Sequence, residues 1–165
     1  MKKLSLIFFC FCLWSSVIAQ EDVLLKILNT ELKKEIKNQL RSPYFDGDTI
    51  TVLQPFTIDS KKNLSILVKK NMPYQEGTWI VKQEVPLHAV KKIGKDINII
   101  LETGDNHVIT TSYKQEDGSE TAEKVMGNLF FLFLSNEKEN EELGIAPQKA
   151  FLGAGISVMK EYWYD

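Results

Sequence analysis

The amino-acid sequence predicts an α+β domain, an antiparallel sheet of five to seven strands packed by an N-terminal helix and a C-terminal helix. Three observations predict it. Apolar residues early in the chain recur at helical spacing, and from Asp48 to Tyr113 the period changes to two. The strand-like runs then follow one another without intervening helices, which argues against a parallel doubly wound sheet.

The domain is expected to begin at residue 20. Lys2 and Lys3 form a positive region, Leu4 to Trp14 is apolar except for Ser5, and Val17-Ile18-Ala19 offers the side chains of a cleavage site. In that order these are the parts of a secretory signal peptide over residues 1–19, cut between Ala19 and Gln20. The apolar run is shorter than the roughly 20 residues a spanning helix needs, so no transmembrane span is expected after signal removal. Export of this kind describes a periplasmic or secreted protein of a bacterial envelope. Of 165 residues, 146 remain, enough for one globular domain over residues 20–165. An apolar fraction of 44% and a charged fraction of 25% exclude a disordered, collagen-like or polytopic membrane protein.

Both cysteines, Cys10 and Cys12, leave with the signal. The remaining chain holds no disulfide, thiolate nucleophile or cysteine metal ligand, and packing alone must hold it. Loss of Lys2 and Lys3 takes the formal charge from −2 to −4. The balance is uneven, net +3 over residues 21–100 and net −7 over 101–165, an asymmetry that can guide a partner.

The elements follow in order. Leu25, Leu28, Leu32, Ile36 and Leu40 align along one stripe of a helix over 21–41. Glu21 and Asp22 suit its positive end, Lys37 and Arg41 its negative end, and Ser42-Pro43 stops it. Ile50, Val52, Phe56 and Ile58 share one face of a strand, and Pro55 points to a sheet edge or a bulge. Asp59 to Asn63 is a turn into a strand carrying Leu64, Ile66 and Val68. After a loop at 72–77, Trp79, Val81 and Val85 face one way until Pro86, and 87–93 fits either a short strand or one helical turn. Ile97, Ile99 and Leu101 alternate with Asn98, Ile100 and Glu102, and Thr103-Gly104-Asp105-Asn106 offers turn residues before Val108 to Tyr113 returns as a hairpin. Asp117-Gly118 is a second turn signal.

Residues 121–134 fit a buried strand or an apolar helix, and Gly127 favours a strand from about Asn128. Asn136 to Phe151 reads as a helix capped by Ser135 or Asn136 and interrupted or kinked by Pro147. Ile156 to Asp165 is a last strand or docked tail. A pleckstrin-homology-like barrel with terminal helices is the alternative architecture, prompted by successive strands before a late helix.

Few residues suit chemistry. His88 and His107 are the side chains that titrate near neutral pH without a shift. His107 lies near Glu102 and Asp105, a pairing that a small hydrolase could use, but no nucleophile motif accompanies it. Two histidines 19 positions apart match no zinc spacing, and Asp46-Gly47-Asp48 lacks the distal ligands of a calcium loop. Neither a metal nor a cofactor is expected. Lysine pairs at 33–34, 61–62, 69–70 and 91–92 lack a phosphate-cradling loop or interleaved aromatics, so nucleic acid is not an expected partner. Glu137, Glu139, Glu141 and Glu142 suit the first turn of a helix, or an acidic surface turned to a basic target.

The candidate binding residues are Tyr162, Trp163 and Tyr164 together with His88 and His107. Three consecutive aromatics cannot all point the same way, so at least one is expected at the surface or in an unusual pocket. Trp79 is expected in the core. The leading expectation is a non-enzymatic, exported binding or interaction module, recognising a protein or a small ligand. The alternatives are a small hydrolase using His107 with Glu102 or Asp105, and an inhibitor or immunity-type protein with an acidic C-terminal half.

Overall fold

A helix over Lys2–Gln39 (α1) opens the chain without a break at the expected cleavage point. It belongs to a computed structural model that describes residues 2–39, 49–71, 78–116, 119–134 and 140–164. From residue 20 onward, the buried side chains of α1 are Glu21, Leu24, Leu28, Leu32 and Glu35. These steps of three and four form a seam that shares Leu28 and Leu32 with the expected stripe and departs from it by one position on either side, with Leu25 and Ile36 half-buried at its margin. The offset arises because α1 packs against two elements at once, the first strand and the C-terminal helix. Glu21 is tolerated in the seam because Lys62 Nζ lies 2.6 Å from its carboxylate. Leu40, Arg41, Ser42 and Pro43 lie outside the described residues.

Among the described residues nine strands follow: β1 Thr49–Ile58, β2 Asn63–Asn71, β3 Thr78–Pro86, β4 Val90–Lys95, β5 Ile99–Thr103, β6 Val108–Glu116, β7 Ser119–Gly127, β8 Leu129–Phe131 and β9 Met159–Trp163. Helix α2, Glu142–Gly153, precedes β9. Five strands form an antiparallel sheet in the order β1-β2-β3-β6-β7, and four form a second sheet in the order β8-β5-β4-β9. The α+β class and an antiparallel sheet with helices at both ends of the chain agree with the sequence. The barrel alternative does not, because the strands divide into two open sheets.

Strand β1 is an edge strand with register irregularities on both sides of Gln54, as Pro55 led one to expect. The backbone freed there is not left bare. Asn29 on α1 accepts from Phe56 N–H at 2.9 Å and donates to Phe56 C=O at 3.0 Å, so a side-chain amide substitutes for a neighbouring strand. The β1–β2 turn is closed by Asp59, whose carboxylate accepts from the backbone N–H of Lys61 and Asn63. The bonds from Asn63 hold that carboxyl below its ordinary range. Lys62 takes the left-handed backbone, φ 64°.

The stretch 87–93 resolves into both options in sequence, a 3₁₀ turn at Leu87–Ala89 followed by β4. The expected hairpin across 103–106 does not form. Strand β5 pairs with β4 and β8, whereas β6 pairs with β3 and β7, so the turn carries the chain from one sheet to the other. Turn chemistry fixes a local reversal but not the ladder each arm joins. Ile97 is correspondingly not a strand residue; it lies in a bend and is exposed, while Ile99, Ile100 and Leu101 are all buried. Within residues 121–134 the chain takes strand rather than helix, β7 to Gly127 and then β8 over Leu129–Phe131, with 132–134 in no regular element. Residues 117–118 lie outside the described residues, between the paired Glu116 and Ser119.

Helix α2 starts at Glu142, later than expected, and Ser135 and Asn136 lie outside the described residues. Pro147 sits inside it without ending it. The core lies between the sheets and helices, with Phe56, Leu64, Ile93, Leu101, Phe130 and Phe151 buried. Gln83, buried on β3, joins the sheets: it accepts from Phe131 N–H of β8 at 2.9 Å and donates to Thr110 Oγ1 of β6 at 3.0 Å. Among the described residues no helix is long and apolar enough to cross a membrane.

Candidate functional site

The C-terminal aromatics are sorted by a register shift in the one parallel ladder among the described residues. Strand β9 runs beside β4 with Lys92 opposite Met159, Ile93 opposite Lys160 and Lys95 opposite Trp163. Between the last two pairs β9 advances three residues while β4 advances two. The extra residue breaks the alternation of side chains, leaving Glu161 and Tyr162 on the outer face and turning Trp163 inward.

On the inner side Trp163 packs on α2. Its Nε1–H donates to Asn140 Oδ1 at 2.9 Å, and the same oxygen accepts from the buried Lys95 Nζ at 3.2 Å. Lys160 Nζ stands 5.2 Å from the Trp163 ring centroid and 3.2 Å from Glu141. These partners make Trp163 the fastening between β9 and α2, half-buried rather than presented to solvent.

The outer face is different. The Tyr162 ring lies over Gly94, where a Cβ would stand 3.0 Å from Tyr162 Cε2 and Cζ. The Tyr162 hydroxyl donates a short hydrogen bond to the Glu102 carboxylate on β5. That bond, together with burial and the negative charges of Glu102, Asp96 and Glu161, pushes the phenol up to about 12. At neutral pH the ring is therefore a neutral donor clamped in one orientation. Lys92 pairs with Glu161 at 2.9 Å beside it, and that partner raises the Lys92 ammonium above its usual range.

Tyr164 stacks on Tyr162 with ring centroids 5.6 Å apart and planes 20° from parallel. Its N–H donates to Lys95 C=O at 3.0 Å, so the backbone is fixed while the side chain remains 64% exposed. Phe131 and Met159 are exposed on the same sheet face, opposite Ile100 and Lys92 in register. The result is an aromatic and apolar surface held on a rigid ladder, with Glu102, Lys92 and Glu161 set into it. It offers stacking area and polar groups that fix orientation, the mixture found at binding surfaces.

The histidines do not join it. His88 is exposed in the 3₁₀ turn, and His107 is exposed in the turn after β5. The pairing of Val90 with Thr103 places both turns at one end of the second sheet. His107 Nε2 stands 3.8 Å from Asp105 Oδ2, which is itself exposed. Glu102, the other proposed partner, is committed to Tyr162. Trp79 is half-buried on β3, with Lys114 Nζ 5.6 Å from its ring centroid.

Among the described residues no group of three or more His, Cys, Asp or Glu could hold a metal ion. Asp46 and Asp48, like Glu137, Glu139, Tyr44 and Tyr74, lie outside the described residues. The four lysine pairs occupy separate elements: α1, the β1–β2 turn, β2 and β4. Sequence reasoning found the tyrosines but missed Gly94 and the pairing of Glu102 with Tyr162. A glycine inside a strand signals close approach by another group, and Gly94 carried that signal. Compared with known protein families, curated proteins and solved structures, the chain matches none.

Proposed function

We propose that this chain is an exported protein of a bacterial envelope that binds a partner through the outer face of its second sheet and does not turn over a substrate. The observation that carries the reading is the stacked Tyr162–Tyr164 pair, oriented by Glu102 over Gly94 and left with Tyr164 exposed. Holding large aromatic area in one geometry before contact lowers the ordering cost of binding, and such residues dominate binding energies where they are used. The signal-like N-terminus supports the location.

The test is capture from an envelope fraction by the wild-type chain and by Tyr164→Ala, which removes the exposed ring and its stack on Tyr162 but keeps the backbone bond to Lys95. A partner retained by the wild type and released by the variant is the expected result. Equal capture by both refutes the assigned face. The second reading, a small hydrolase, is favoured by the His107–Asp105 proximity. Turnover against a hydrolase panel that disappears in His107→Ala would establish it in place of the binding role.

A further inference from the structure

We propose that Gln20 becomes the amino terminus of the exported chain and closes on itself as a pyroglutamyl ring. This rests on the export reading, because only cleavage after Ala19 frees the α-amine of Gln20. The amine nitrogen attacks the side-chain amide carbon Cδ. The N–Cδ bond forms, the Cδ–Nε2 bond breaks, and the nitrogen leaves as ammonia with the proton lost by the amine. No oxidant, reductant or co-reactant is consumed.

The structure shows what this closure keeps and what it gives up. Gln20 is half-buried against the end of α2. A Cβ at Gly153 would stand 2.7 Å from Gln20 Oε1, 2.8 Å from Cδ and 3.0 Å from Cγ, so the glycine leaves the room that this side chain fills. All three atoms survive in the lactam, although closing it draws Cδ from this contact onto the residue's own nitrogen. The next residue is already fixed: Glu21 is buried and bound to Lys62, and Leu24 is in the core. The terminus is therefore held on the domain from its second residue, and the ring forms beside the end of α2 rather than on a free tail. Closure also removes a positive charge from the positive end of the helix dipole.

The experiment is the intact mass of the protein purified from the exported fraction. It is combined with fragmentation of the tryptic peptide 20–26, which ends at Lys26, after labelling of terminal amines. The expected mass is that of residues 20–165 less one ammonia, with the loss located at residue 20 and no label on its nitrogen. Gln20→Ala should give a cleaved chain at full mass with a labelled terminus; an ammonia loss that persists in it overturns the assignment to Gln20. A wild-type chain cut after Ala19 but found at full mass, its terminus labelled, overturns the ring and leaves export standing. A chain retaining residues 1–19, or cut elsewhere, overturns both.

Discussion

Gln83→Leu tests whether one buried amide holds the two sheets together. Gln83 is 3% exposed and makes two bonds, from Phe131 N–H at 2.9 Å and to Thr110 Oγ1 at 3.0 Å. Each bond contributes about 1 kcal/mol net, and a backbone N–H left buried without a partner costs about 1–3 kcal/mol. The Thr110 hydroxyl can rotate towards another group, whereas the Phe131 N–H is fixed by β8. Leucine is close in volume and returns about 1 kcal/mol through apolar burial. The net expectation is a loss of about 2–3 kcal/mol, or a fall of about 4–10 °C in Tm for a domain of this size. Urea unfolding followed by circular dichroism should show a lower midpoint at unchanged slope, and hydrogen exchange should quicken at the Phe131 amide. An unchanged midpoint together with a still-protected Phe131 amide would mean that the N–H has another partner, and the bridge would carry no weight.

Three other predictions concern the helices and the aromatic face. Asn29→Ala removes both bonds to Phe56 and should cost about 2 kcal/mol, read by the same unfolding assay; Asn29→Asp keeps the acceptor but not the donor and should recover only part. Gly144→Ala places a Cβ 2.6 Å from Trp163 Cζ3, so overpacking of about 1–3 kcal/mol outweighs the gain of about 1 kcal/mol in helix propensity; Trp163 emission should shift as β9 is displaced. The Tyr162 phenol, pushed up to about 12 in the fold from an ordinary 10, releases its proton later when folded than when unfolded. The unfolded chain therefore binds fewer protons between those values, and the contribution to stability, complete below pH 10, is lost as pH rises towards 12. Glu102→Gln should bring the phenolate transition, followed by ultraviolet absorbance, back towards the ordinary value; a transition that stays high refutes Glu102 as the main cause.

Local chemistry was legible wherever one segment decides its own shape. Pro55 cannot donate to a ladder, so it announced the irregular edge of β1. Alternation of Leu64, Ile66 and Val68 named the inner face of β2, and the Asp59 turn followed from a side chain that bonds the backbone two and four residues on. The α1 stripe was legible to within one position, because hydropathy marks a face and the angle of packing on β1 and α2 picks its centre. Tyr162 and Tyr164 were visible as candidates, since three adjacent aromatics cannot share a face.

Residue pattern was enough for the class of fold, the kind of element at most positions, and the presence of aromatics in excess of what one face can bury. Tertiary structure alone decided the rest. Thr103-Gly104-Asp105-Asn106 turns the chain in either case, but only the competing ladders of β4 and β8 made it a crossing between sheets instead of a hairpin. One extra residue in β9 put Tyr162 outside and Trp163 inside, and a carboxylate 60 positions away fixed the ring. Hydrogen-bonded ladders and side-chain pairs form between residues distant in the chain, and their energies depend on which strands become neighbours, a property no single segment carries.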